Sequence, residues 1–247
     1  EQGLGDTIQF SRFIHYLLDK KVKIIFQVQN CLVQLLSNMH DEIKVIGDKD
    51  TFDDYDYQIP LISLLNEMGF NPIKYKYNPC YLNHQDTNKI DQWSQKLNRK
   101  EFLIGVSWQA SVNSVGKSFE LKELSEIANI KGVRLVSLQK NFGVEQLGKN
   151  LGFEIQDLGN NFDNESQAFL DTAAVIENLN LIITCDTALV HLAGALDCKT
   201  FCALKKYPDW RWGLSGEKTF WYDNIKLFRQ ENVDDWKQVF KDIKTEI

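Results

Sequence analysis

The chain has 247 residues, 43% hydrophobic and 12% aromatic, which is enough apolar mass for two α/β cores of roughly 100 to 130 residues each. Its net charge of -6, from 34 acidic against 28 basic side chains, argues against the basic face of a general nucleic-acid or anionic-membrane binder. Five scattered cysteines (Cys31, Cys80, Cys185, Cys198, Cys202) form no Cys-x-x-Cys pair and the four histidines stand apart, so neither a disulfide framework nor a metal site is expected, and the free thiols point to the cytoplasm.

The first residues, Gly3-Leu4-Gly5-Asp6-Thr7, read as a Gly-x-Gly turn opening a helix whose Ile8, Phe13, Leu17 and Leu18 fall near a helical period. A strand is the natural lead-in to such a turn. Because the chain starts at Glu1 without methionine, it reads as a fragment whose N-terminal sheet lacks its first strand. Strands are expected at 22–28, 43–46 and 55–59, with helices at 31–39 and 61–68. Residues 70–82 hold Pro72 and Pro79 and mark a loop, and 88–97 looks like a polar helix closing the first half.

Phe102 to Trp108 then opens a second α/β series like a new first strand. It continues with a helix at 121–129, a strand at 133–138, a helix at 169–178 and a strand at 181–184. After that come a small-residue helix led by Asp186-Thr187, strands at 200–204 and 225–228, and an amphipathic helix at 233–247 carrying Val233, Trp236, Val239, Phe240 and Ile243 on one stripe. This β/α rhythm predicts two doubly wound domains facing a central cleft: 1–98, 99–230, and a terminal helix 231–247 that packs back on the N-terminal domain. No apolar run reaches membrane-spanning length, since the longest, Leu181 to Leu204, is broken by Asp186, His191, Asp197 and Lys199.

The segment Ile183 to Leu196 (ITCDTALVHLAGAL) carries the most information. A strand running straight into a helix start leaves backbone N–H groups and the positive end of a helix dipole free for a phosphate or other anion. Asp186 would repel that anion, so it either caps its own helix or bonds a ligand hydroxyl, while the amides from Thr187 and Ala188 onward hold the charge. His191, one turn on, is either a buried, satisfied histidine or a ligand contact.

Other segments carry weaker signals. The loop Gln109 to Ser118 offers Ser111, Asn113, Ser114 and Lys117 to phosphate oxygens, or is a solvated turn. Gly3 and Gly5 let a ligand approach the backbone, although Asp6 and Ile8 stand where the dinucleotide fingerprint needs glycine and small residues. Asp6 itself either caps its helix or takes a proton from a substrate hydroxyl. Tyr207-Pro208-Asp209-Trp210-Arg211-Trp212 with Trp221-Tyr222 either forms core or stacks on a sugar or base, with Arg211 clamping a phosphate.

Taken together, EQGLGDTIQFSRF, GVSW with its loop, SLQK, DTAAVI, CDTALVHLAGAL, YPDWRW, FWY and LFRQ followed by Asp235-Trp236 resemble, in order and spacing, the heptosyltransferase-like glycosyltransferases of family 9. The resemblance spans nearly the whole chain and is closest to the bacterial branch found C-terminal to tetratricopeptide repeats. It implies a GT-B architecture, with acceptor on the first domain, nucleotide-sugar donor on the second, and no metal or other cofactor. It further implies inversion by direct displacement, with Asp6 as base, Lys117 on the leaving diphosphate, and Asp186-Thr187 at the donor helix. The base of the nucleotide would lie near Leu170 to Thr172, and the ribose near Gln139 to Glu145. The repeat-linked branch usually has arginine where Lys117 stands.

The implied partners are a nucleotide-diphosphate sugar, with ADP-heptose as the family-level candidate, a glycan or protein acceptor, and an upstream repeat domain. No nucleic-acid partner is expected. A nucleotide-sugar epimerase of the same architecture and a non-catalytic nucleotide-sugar or glycan-binding module remain alternatives.

Overall fold

The structure is a computed structural model and describes residues 3–52, 54–71, 80–82, 86–97, 99–164 and 168–247. The chain opens with helix α1 (Leu4–Ser11) and, after a single 3-10 turn, α2 (His15–Leu18). Strands β1 (Ile24–Val28) and β2 (Ile43–Gly47) pair in parallel, with α3 (Val33–Leu36) between them. Two further helices, α4 (Leu64–Glu67) and α5 (Thr87–Lys96), complete the first half.

The second half is built on β3 (Phe102–Ser107), β4 (Val133–Ser137), β5 (Ile155–Gln156), β6 (Leu181–Cys185), β7 (Thr200–Leu204) and β8 (Ile225–Arg229). Around them lie α6 (Ser125–Ala128), α7 (Leu170–Ile176), α8 (Ala188–Ala195) and α9 (Trp236–Thr245).

The six strands form one all-parallel sheet in the order β5-β4-β3-β6-β7-β8. The chain starts in the middle, winds outward to one edge, returns, and winds to the other. The strand order therefore reverses between β3 and β6, and ligands of doubly wound sheets bind beyond the strand ends at that point.

Side chains alternate across the sheet as the two-residue period requires. Leu103, Ile182, Cys202 and Leu204 enter one core with α1, α7 and α8, while Ile104, Leu181, Ile183, Phe201 and Ala203 enter the other. The first core is continuous with the N-terminal half, joining Ile8, Phe10, Phe13, Phe26 and Leu36 to Leu138, Ala174, Leu189 and Leu192.

Several expectations are corrected. Residues 55–59 are not a strand: Tyr55 and Tyr57 are exposed, and Asp54 and Asp56 alternate with them, so β-forming side chains have no apolar face to bury. The helices expected at 31–39, 61–68 and 121–129 shrink to single turns, two of them entered through 3-10 turns. β5 is a two-residue edge strand too short to leave a periodic signal. The loop expected at 70–82 lies largely outside the described residues.

The terminal helix also departs from expectation. Among the described residues Trp236, Val239, Phe240 and Ile243 of α9 pack on the six-stranded sheet with Phe119, and not on the N-terminal half. The amphipathic stripe specifies that a face is buried but not against what. No helix among the described residues is long and apolar enough to cross a membrane.

The DTAAVI segment forms α7, and Asp171 stitches it to α5 by accepting from Lys89 Nζ (2.8 Å) and Trp93 Nε1 (3.0 Å). Asp163 serves as a remote cap, its Oδ1 accepting from the Asp171 amide at 2.7 Å.

Candidate functional site

At the reversal point β6 ends in Cys185, and Thr187 takes up an extended conformation (φ -134°, ψ 178°) as the N-cap of α8. Among the described residues no side chain caps this helix. The Val190 amide bonds the Thr187 carbonyl at 3.2 Å, and the amides before it, at the start of the helix, lie with the helix dipole at its positive end. Asp186 is not the cap: its carboxylate, almost fully buried, turns to Lys117 Nζ at 2.6 Å. The ammonium thus reaches the foot of α8 from the loop that follows β3.

α8 is apolar along nearly all its length because α1 covers it. Gly5 makes that approach possible: a Cβ on it would lie 3.2 Å from both Ala188 Cα and His191 Cδ2. The second glycine of the Gly-x-Gly pair therefore serves helix packing, and Gly3 is the N-cap of α1. Asp6 lies in the first turn of α1, so the reading of Asp6 as an N-cap is corrected as well. Its carboxylate pairs with Arg211, 205 residues away in sequence, from the turn after β7.

His191 is in the buried, satisfied state, with Nδ1 3.0 Å from the Tyr222 hydroxyl and its ring stacked on Trp212 at 5.6 Å. Burial first, then the positive charges of Arg211, Arg12 and Lys117, holds its pKa well below the ordinary 6.5, so the ring is neutral. The same lysine acts on Asp209, where burial pushes the carboxyl up but bonds from Arg211 and the charge of Lys117 outweigh it and hold it low. Lys117, Asp186, His191, Asp209, Arg211 and Asp6 thus share one electrostatic neighbourhood.

The remaining predicted residues take other places. Ser111 and Ser114 bond each other (3.0 Å) at an exposed loop tip that also carries Asn113. Leu170 is buried in the first core. Gln139 is a buried hub whose Oε1 accepts from Ser107 Oγ (3.0 Å) and the amides of Trp108 and Gln109 (both 2.9 Å), while Nε2 donates to the carbonyls of Gln109 (2.9 Å) and Phe142 (2.8 Å). Its amide is committed to the backbone, which fixes the start of the loop that ends in Lys117.

Sequence reasoning missed Gln9 and Arg12. Both are buried in α1 and the turn after it, where polar residues interrupt no visible apolar stripe because every residue from Thr7 to Ile14 is buried. Arg12 donates to the carbonyls of Gln9 (2.8 Å) and Trp221 (2.5 Å) and lies 4.3 Å from the centre of the Tyr222 ring. The signal for it was a lone arginine set among Ile8, Phe10, Phe13 and Ile14.

A groove of about 360 Å³ lies at the two ends of the Gln109–Ser118 loop, lined by Gln109, Ser118, Phe119, Gln146 and Trp236. Among the described residues its lining carries Glu120, Glu123 and Asp234 against the single cation Lys122, which is itself paired with Glu120, a net negative charge that repels a diphosphate.

No family model matches the sequence, and no curated protein matches it. Solved structures do. The E. coli heptosyltransferase WaaC with ADP-2-deoxy-2-fluoro heptose aligns over all of this chain and 97% of its own, with a TM-score of 0.62 at 11% identity. The E. coli ADP-heptose lps heptosyltransferase II aligns over 99% and 96%, with a TM-score of 0.63 at 12% identity. A glycosyl transferase family 9 protein from Veillonella parvula aligns over 98% and 87%, with a TM-score of 0.61 at 12% identity. The chain has the GT-B-like α/β fold of these proteins.

Proposed function

We propose that this chain is a heptosyltransferase-like glycosyltransferase of family 9, moving a sugar from a nucleotide-diphosphate donor to an acceptor hydroxyl in one inverting displacement without a metal. The observation that carries the reading is the uncapped N-terminus of α8, with Lys117 at its foot and Asp6 delivered to the same helix by the Gly5 contact. Fold alone would not support an activity, because one architecture hosts many chemistries. The chemistry rests on that juxtaposition, and the choice of donor on the ADP-heptose analogue held by the E. coli neighbour.

In this account the donor diphosphate seats on the amides of Thr187 and Ala188 and draws Lys117 from Asp186. Asp186 is then free to accept from a donor hydroxyl. As the bond from sugar to phosphate breaks, charge grows on the diphosphate, and preorganised dipoles plus an ammonium stabilise it there without reorganising. Asp6, on the opposite face of the sugar, takes the proton of the attacking hydroxyl. Ser111, Asn113 and Ser114 lie on the loop tip that closes over the phosphates, Gln139 holds the root of that loop, and His191 keeps α8 in place through Tyr222. The acceptor, glycan or protein, approaches past Gly3 and Asp6.

A thermal-shift screen of ADP, GDP, UDP and their sugars tests the donor half. A ligand at 100 times its Kd stabilises the fold by about 2.7 kcal/mol, and ADP is expected to give the largest shift. Asp6→Asn is expected to abolish ADP release from ADP-heptose while leaving ADP affinity within about twofold, and chelation by EDTA to leave wild-type turnover unchanged. Turnover by Asp6→Asn at the wild-type rate would remove the base from the mechanism.

A further inference from the structure

The sequence suggested Arg211 as a phosphate clamp, but its contacts point elsewhere. The guanidinium is engaged nitrogen by nitrogen: Nε donates to Gln9 Oε1 at 2.8 Å, Nη1 to Asp209 Oδ1 at 2.8 Å, and Nη2 to Asp6 Oδ1. Its faces are covered by the rings of Trp210 (4.8 Å to centroid) and Phe10 (5.7 Å), and 13% of the side chain is exposed. Two carboxylates already neutralise its charge, whereas Lys117 has one.

The groups around Arg211 are themselves bonded or buried. Asp209 Oδ1 accepts from the Arg211 amide at 3.1 Å, the Arg211 carbonyl accepts from Trp221 Nε1 at 3.0 Å, and Gln9 is fully buried. Arg12 ties the Gln9 carbonyl to that of Trp221.

Asp6 contrasts with this. It is about a third exposed, and Arg211 holds its Oδ1. The other oxygen, Oδ2, lies 2.8 Å from where a Cβ on Gly3 would be, in space that the glycine leaves open.

Resting on the reading of Asp6 as base, we propose that Arg211 is a positioning residue: it fixes one oxygen of Asp6 so that the other is presented to the attacking hydroxyl, and it contacts neither donor nor acceptor. The planar fork is what the role requires. A lysine at 211 keeps the charge but replaces a rigid three-way fork with a single flexible ammonium. A reacting group misplaced by about 1 Å can cost about 100-fold in rate.

The experiment follows ADP release from ADP-heptose by the full chain, with near-UV circular dichroism and ADP affinity measured alongside. It compares wild type, Arg211→Lys, Arg211→Ala, Asp6→Asn and the Arg211→Ala/Asp6→Asn double variant. Expected are a fall in kcat of about 100-fold for Arg211→Ala, with the KM for ADP-heptose within about twofold. Partial recovery on adding ethylguanidine is also expected, with little recovery in Arg211→Lys, and a double variant no slower than Asp6→Asn. Arg211→Lys keeps the charge, so it carries the test if Arg211→Ala does not fold.

An unchanged kcat in the Arg211 variants beside an inactive Asp6→Asn would overturn the positioning role alone, as would a raised KM at constant kcat. A wild type that releases no ADP, or an Asp6→Asn that releases it normally, would overturn the base assignment and this inference together.

Discussion

His191 shows how one residue can look functional in sequence and serve as structure. Histidine beside a helix start suggests a ligand contact, but here the ring is sealed between Trp212 and Tyr222 and kept neutral by burial and three nearby cations. Its folded pKa lies below the unfolded value of 6.5. As pH falls below that value the unfolded chain takes up a proton that the folded chain refuses, so stability present above pH 6.5 is lost on acidification. Each group of this kind contributes a slope of at most about 1.4 kcal/mol per pH unit. Urea unfolding between pH 7 and 5 should show a shallower loss for His191→Gln than for wild type. Parallel curves for the two proteins would mean that His191 does not carry the acid limb.

At the scale of elements, the contact of α1 with α8 decides whether an acidic side chain meets the anion end of a helix. Gly5 sets the spacing. In Gly5→Ala the added methyl must push Ala188 or His191, and overpacking of this kind costs about 1 to 3 kcal/mol. Because the shift also carries Asp6 away, turnover should fall by more than ADP affinity does, a split that steady-state kinetics beside calorimetric titration would detect. Equal losses in both would mean that the contact of α1 with α8 does not set the position of Asp6.

This junction was half legible in the sequence. The strand-to-helix corner at 183–196 was plain from composition. Gly3-x-Gly5 pointed to close approach, but a glycine cannot announce whether a ligand or a second helix comes near. The parallel core strands read well because each buries nearly all of both faces and is largely apolar. Residues 55–59 read wrongly because aromatic alternation looks the same whether or not a neighbouring strand exists.

For the whole molecule, the reversal of strand order between β3 and β6 brings the two chemically useful loops together at the C-terminal ends of the central strands, and the core shared with the N-terminal half brings α1 against α8 there. Long-range pairs such as Asp6 with Arg211 and Lys117 with Asp186 follow from this topology and could not be read from spacing. The doubly wound order itself followed from the β/α rhythm, whereas the seat of α9 did not, because an amphipathic stripe fits any apolar surface.

The account stands on an anion held by the first turn of α8 and Lys117, within reach of Asp6. Crystals grown with ADP give the most direct measurement. The account predicts the β-phosphate within hydrogen-bond distance of the Thr187 and Ala188 amides and of Lys117 Nζ, with the Lys117–Asp186 pair opened. ADP seated in the groove beside Glu120 and Trp236, or anywhere that leaves those amides untouched, would contradict it.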